Sequence, residues 1–164
     1  MNDRLKIESF IELLVAGASQ EQLELEAQKL DLNQVGLHGR TPLMASAAAG
    51  LLAATEMLVR NGASIRVTGD RGMTALHEAA ASGEVGLAEY LVSLGADVNA
   101  QTLDGVTPLM CAAAWGNFGV ARLLIDSRAD VTKTDRYGAT AMDIADEKGE
   151  VDTADLIRSY QKAA

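Results

Sequence analysis

The chain has one cysteine, two prolines and aromatic residues at only 4% of its 164 positions. A single cysteine, Cys111, excludes an internal disulfide and a thiolate-rich metal site, and it fits a reducing, cytoplasmic compartment. Two prolines and no low-complexity run leave little room for a flexible linker. Hydrophobic residues at 48% exclude disorder, and with so few aromatics the core must be aliphatic side chains and alanine. No apolar run reaches the roughly 18 residues that cross a bilayer, so no membrane is expected as a partner. The start, MNDRLKIESFIELLVAG, is not a signal peptide, because Glu8 and Glu12 interrupt its apolar stretch. A leader trimmed before this start would leave no trace in it. Basic residues are outnumbered 14 to 23, for a net charge of −9 and a pI near 4.6. Nucleic-acid binding, which draws most of its affinity from a basic face, is therefore not expected.

What the chain does have is a period. Thr41, Thr74, Thr107 and Thr140 stand 33 residues apart, and Gly39, Gly72, Gly105 and Gly138 keep the same step. So do Gly50, Gly83, Gly116 and Gly149, and likewise Leu58, Leu91, Leu124 and Ile157. One step back from Gly50 and Leu58 lie Gly17 and Leu25, so the N-terminal segment reads as a degenerate copy in register. Each unit opens on Gly-x-Thr, runs through a short alanine-rich helix such as TALHEAAASG, and closes on a glycine suited to a left-handed cap. A second helix follows, with apolar residues at helical spacing such as Val120, Leu123 and Leu124. It ends at NGASI, LGADVNA or SRADVTK, where the chain extends into a hairpin-like loop.

This pattern resembles the ankyrin repeat. The matching residues are TPLM at 41–44 and 107–110, TALH at 74–77, and NGAS, LGADVNA and SRADV at the unit ends. The resemblance implies two antiparallel helices and a β-hairpin per unit, each stacked on the next. A single unit cannot bury its apolar face alone, but stacked units share one continuous core, and Ala47, Ala80 and Ala113 let helices approach closely. Two departures stand out. The family's turn histidine is present only as His77, so Met44, Met110 and Asp143 predict a lost side-chain hydrogen bond in their units. Arg128 replaces the glycine found at 62 and 95, which predicts a strained helix end.

The sequence thus predicts an all-α repeat solenoid of helix-turn-helix units joined by β-hairpin-like loops. It forms one domain over 1–164: a capping repeat at 1–40, full repeats at 41–73, 74–106 and 107–139, and a capping repeat at 140–164. The terminal units are the polar ones. Acidic residues outnumber basic ones seven to four over 1–40 and six to three over 140–164, as expected of caps that complete an array.

No catalytic constellation is visible. Only two histidines, His38 and His77, are of the residue type suited to general-base work near neutral pH; by resemblance His77 occupies the family's structural position, and His38 lies at a hairpin tip. Cys111 aligns with Ala45, Glu78 and Ile144, and a position that accepts glutamate predicts partial burial rather than deep core. Gly83-x-x-Gly86 and Gly116-x-x-Gly119 lack the Lys-Ser/Thr of a phosphate loop, and no metal-ligand spacing appears. Neither cofactor nor metal is expected.

Contact is expected on the concave face of hairpin tips and first helices. By resemblance, the variable positions there are Leu37, His38 and Arg40; Asp70, Arg71 and Met73; Leu103, Asp104 and Val106; and Arg136 and Tyr137. Arg40, Arg71 and Arg136 suggest a locally basic, partly apolar strip on an acidic protein. Trp115 aligns with Ala49, Ser82 and Lys148 and is expected to face solvent beside the Leu103 and Val106 hairpin. The function implied is non-catalytic binding of another protein by a preorganised surface, the free chain being a monomer. The alternative is an inhibitor or self-protection protein that occludes a partner enzyme's active site.

Overall fold

The computed structural model describes residues 2–161. Among the described residues ten α-helices alternate between two rows. The inner row is α1 (Asp3–Val15), α3 (Pro42–Ala48), α5 (Ala75–Ser82), α7 (Pro108–Ala114) and α9 (Ala141–Lys148). The outer row is α2 (Gln20–Ala27), α4 (Leu52–Arg60), α6 (Val85–Ser93), α8 (Phe118–Asp126) and α10 (Val151–Gln161). Each inner helix packs on its inner neighbours and on the outer helix that follows it. No helix among the described residues is long and apolar enough to cross a membrane.

The recurring threonine starts each inner helix. Thr41, Thr74, Thr107 and Thr140 each accept, through Oγ1, the backbone N–H three residues on, at 3.2–3.4 Å. That bond satisfies one of the donors a helix start leaves unpaired. Pro42 and Pro108 take the first helical position, where no N–H is needed. At the far end Gly83 adopts φ 82° and reverses the chain into α6. Arg128, just past the outer helix α8, takes a similar φ of 69° with a side chain attached, the strained end expected from its alignment with glycines 62 and 95. An L residue held there costs about 1 kcal/mol.

The core follows the period. Ala47, Ala80 and Ala113 on the inner row and Leu58, Leu91, Leu124 and Ile157 on the outer row are all 0% exposed. The first unit keeps the period only as far as Gly17, which shares its positive φ with Gly50. Leu25 is 57% exposed, and Leu23 and Ala27 are buried in its place. Strict register would have turned Gln22 and Glu24, the counterparts of Thr55 and Met57, into the core. The helix rotates to avoid burying them.

The loops are hairpins without strands: among the described residues the only bridge is an isolated one, Thr134 to Thr140. Each loop is closed by one bond at the same step, from the N–H of Gly36, Gly69, Thr102 and Asp135 to the carbonyl four residues on, at 2.8–3.0 Å. Successive tips are stitched together by Leu103 N–H to Arg71 O and Arg136 N–H to Asp104 O, both at 2.8 Å. The first joint is slipped by one residue, with Asp70 N–H bonding Gly39 O at 2.9 Å. There the turn at 70–72 is a short 3₁₀ segment with Arg71 at φ 64°.

His77 ties the start of one inner helix to the hairpin that leads into the next. It is fully buried, and its Nε2 lies 3.0 Å from the Val106 carbonyl, which can only accept, so Nε2 carries the proton. Nδ1 then accepts from Thr74 N–H at 3.3 Å and Thr74 Oγ1 at 2.8 Å. The expected loss at Asp143 does not occur, because its carboxylate accepts Thr140 N–H at 2.9 Å and Oγ1 at 2.6 Å. At Met110 the sulfur sits 3.3 Å from Thr107 N–H, a weak substitute. The reach across to the carbonyl just before the next inner helix is what only His77 supplies among these four positions.

Candidate functional site

The concave face runs over the inner helices and up to the hairpin tips. Its tips hold Leu37, His38 and Arg40, then Asp70, Arg71 and Met73, then Leu103, Asp104 and Val106, then Arg136 and Tyr137. The structure divides them into groups with different behaviour. Asp104 accepts from Arg71 on one side and from Arg136 Nη1 at 2.5 Å on the other, spanning three successive hairpins. Hydrogen bonds from Arg136 and Arg71 hold its carboxyl below the usual aspartate range. The Arg136 guanidinium also lies over the Tyr137 ring, 4.9 Å from its centroid. Met73 and Val106 turn inward and are half-buried, Val106 packing against the core. Asp70 folds its side chain over Gly39.

The tip at 36–40 behaves differently. His38 and Arg40 are tied down onto the helices rather than along the tip row. His38 Nδ1 is 2.7 Å from Glu8 Oε1, and Glu8 Oε2 accepts Leu37 N–H at 2.8 Å. Burial alone would raise the Glu8 pKa, but the bonds from His38 and Leu37 outweigh it and hold the carboxyl low. On the other flank Arg40 Nε lies 2.8 Å from Glu78 Oε1, with Nη2 3.4 Å from Oε2. A basic strip was expected from the three tip arginines. In the fold Arg40 pairs with Glu78 while Arg71 and Arg136 share the one carboxylate of Asp104, three guanidinium charges against two carboxylates, so the strip is partly neutralised.

Glu78 overturns one inference from alignment. A position that accepts glutamate was expected to lie outside the core, yet Glu78 is only 5% exposed. It tolerates burial because Arg40 reaches in to it, although burial still prevails and pushes its pKa up. Cys111, one unit on, is half-buried as expected. Burial, reinforced by the Glu78 charge, pushes the thiol to about 12, so at neutral pH it is protonated and a poor nucleophile.

Trp115 is 70% exposed, in keeping with its alignment. Its neighbours are not those expected. It walls a shallow hollow with Arg40, Ala48, Glu78, Ala81 and Ser82, reaching toward the ends of the earlier inner helices rather than to the Leu103 and Val106 hairpin. The inner helix separates the two: the hairpin stands at its start and Trp115 at its end. Glu8 and Glu78 were missed as site residues. Glu78 carried a signal, as the one acid in the alanine run of TALHEAAASG; Glu8, one step before Thr41, looks in sequence like any solvated helix carboxylate.

Two helical rows, a 33-residue step and capped turns stitched edge to edge define a helical repeat solenoid. The family model of ankyrin repeats, built on three copies, matches residues 6–102 and again 94–163, and the chain belongs to that family. No curated protein matches it. Ankyrin repeats are generally protein–protein interaction modules and typically non-catalytic.

Proposed function

We propose that the protein binds another protein across its concave face, through the hairpin tips and the ends of the inner helices. One observation carries the reading. The three most exposed large apolar side chains of the described residues are Leu103 at 82%, Tyr137 at 80% and Trp115 at 70%, and all three lie on this face. Aromatic side chains are enriched at the centres of interfaces. In this reading the units at 1–40 and 140–164 cap the stack, and the repeats at 41–73, 74–106 and 107–139 supply most of the contact.

Trp115→Ala is expected to leave the Tm within about 2 °C, since a surface truncation changes stability by about 0.5 kcal/mol or less. The same change should weaken the complex about 30-fold, the effect of losing a central aromatic anchor worth about 2 kcal/mol. The test is parallel isolation from a cell extract with the wild-type chain and with a Leu103→Ala/Trp115→Ala/Tyr137→Ala variant as baits. Proteins held by the first and lost by the second support the reading; identical retention by both overturns it. If the captured protein is an enzyme, assaying it with and without this chain distinguishes a scaffold from an inhibitor.

A further inference from the structure

Two hollows meet on the concave face. One is lined by Glu8, His38, Arg40 and Ala48, the other by Arg40, Ala48, Glu78 and Trp115, and each holds about 320 Å³. Because Arg40 and Ala48 belong to both, they form one trough across α1, α3, α5 and the end of α7. Its floor is small, with Ala45, Ala48, Ala49, Ala81 and Ser82.

Arg40 is the organising group. Its Nε and Nη2 are bound to Glu78, a carboxylate sunk in the floor, while among the described residues Nη1 has no hydrogen-bond partner. A guanidinium fixed along one edge by a buried acid presents its other edge at a set angle, and that edge matches a carboxylate. Arg40 cannot swing away without leaving Glu78 buried and unpaired, which is costly. Arg71 and Arg136 differ: they share the half-buried carboxylate of Asp104 on the tip row, and neither lines either of these hollows. Across the trough from Arg40 stands the exposed indole of Trp115, above a floor with room for a side chain.

We propose that this trough receives an internal segment of the partner protein carrying one aspartate or glutamate beside a large apolar residue. The carboxylate sits on the outer edge of Arg40, and the apolar side chain lies against Trp115 over the alanine floor. The rest of the chain sharpens the choice. With a net charge of −9 it repels acidic segments in any other register, so the favoured segment has an isolated acid in neutral or basic surroundings. The inference rests on the concave-face reading and names the chemistry of the partner.

Selection of short random segments, displayed as internal fusions with no free carboxyl terminus, tests it. The expected outcome is enrichment of segments with a single Asp or Glu next to Leu, Phe or Trp. Changing that acid to its amide should lower affinity for the wild-type chain about ten-fold or more, as for a lost hydrogen bond to a charged group. Arg40→Gln alone strands Glu78 and could unfold the unit, so the Arg40→Gln/Glu78→Gln pair is used, with Arg40→Lys as a second variant. Against either, the acidic and amide segments should bind alike, and Trp115→Ala should weaken both. An empty selection, enriched segments without an acid, or unchanged affinity for the double variant overturns the proposal. Binding lost on Leu103→Ala and Tyr137→Ala but indifferent to Arg40 overturns this inference and keeps the concave face. Binding indifferent to all of these substitutions overturns both.

Discussion

His77→Ala is expected to lower the free energy of unfolding by about 4 kcal/mol, combining a cavity where a fully buried ring stood with a buried carbonyl left unpaired. The loss falls on the tie between successive inner helices, because the ring holds Thr74 at the start of one to Val106 just before the next. Chemical denaturation followed by helical signal measures it; a loss below about 1 kcal/mol would mean the ring is not a tie. The substitution also changes the pH dependence. Burial holds the His77 pKa below 6.5, its value in an unfolded chain, against the opposing pull of the Val106 and Ala100 backbone. The unfolded state therefore takes up the proton first as pH falls. The contribution of His77 is fully present above pH 6.5 and declines below it. Wild-type stability should fall across that window more steeply than that of the variant, and since His38 is present in both, the difference isolates His77. Glu8, Asp130 and Asp143, held low by their hydrogen bonds, lose their contributions only in the ordinary carboxylate range below. Glu78 works in the opposite sense, its buried charge being relieved as pH falls toward its raised pKa.

Gly69→Ala should cost about 3 kcal/mol, at the upper end of what overpacking does. A methyl there would stand 2.3 Å from the Gly39 carbonyl oxygen and 2.9 Å from Met44 Sδ. The first of these is backbone and cannot rotate away. Thr102 and Asp135 occupy the equivalent place in later loops, so the restriction is not a property of the position in general. It arises from the slipped joint, where Asp70 bonds Gly39 and draws the two hairpins together. Gly86→Ala is the contrast. Its methyl would meet only Leu52 at 3.9 Å, on a helix, and should stabilise by about 0.5–1 kcal/mol. Denaturation midpoints of opposite sign for two changes of identical chemistry would establish that the joint, and not glycine content, sets the cost. Equal shifts would refute it.

The repeat register was legible because it is written in side chains with one job each: threonine caps, closing glycines and fully buried alanines and leucines. Legibility failed where two residues trade roles across units. Nothing in the order of residues says that Arg40 buries the charge of Glu78, 38 positions on, or that Glu8 holds the loop at Leu37. The same blindness hid the partial neutralisation of the basic strip, since Asp104 meets Arg71 and Arg136 only once the hairpins stack. In the first outer helix the period itself misled, because it predicts Leu25 inward while the polarity of Gln22 and Glu24 turns Leu23 in. Trp115 was assigned the right exposure and the wrong neighbours, since alignment reports environment but not direction.

The rotated helix α2 has a consequence for how the molecule opens. At the next three joints a side chain covers the closing glycine of the unit before: Glu84 over Gly50, Asn117 over Gly83 and Glu150 over Gly116. At the first joint that place is taken by Leu51, and Gly17 has nothing within 4 Å. An apolar cleft of about 370 Å³ remains there, between Leu14, Leu23, Leu52 and Met57. In a stack where each unit is held only by its neighbours, the least filled joint parts first. Amide protons of α1 and α2 should therefore exchange with solvent ahead of those of α5 to α8, through an opening that leaves the later units intact. Uniform exchange along the chain would count against this. Such a stack unzips from one end, and the ion pair of Arg40 with Glu78 ties the last residue of the opening unit to the part that stays closed.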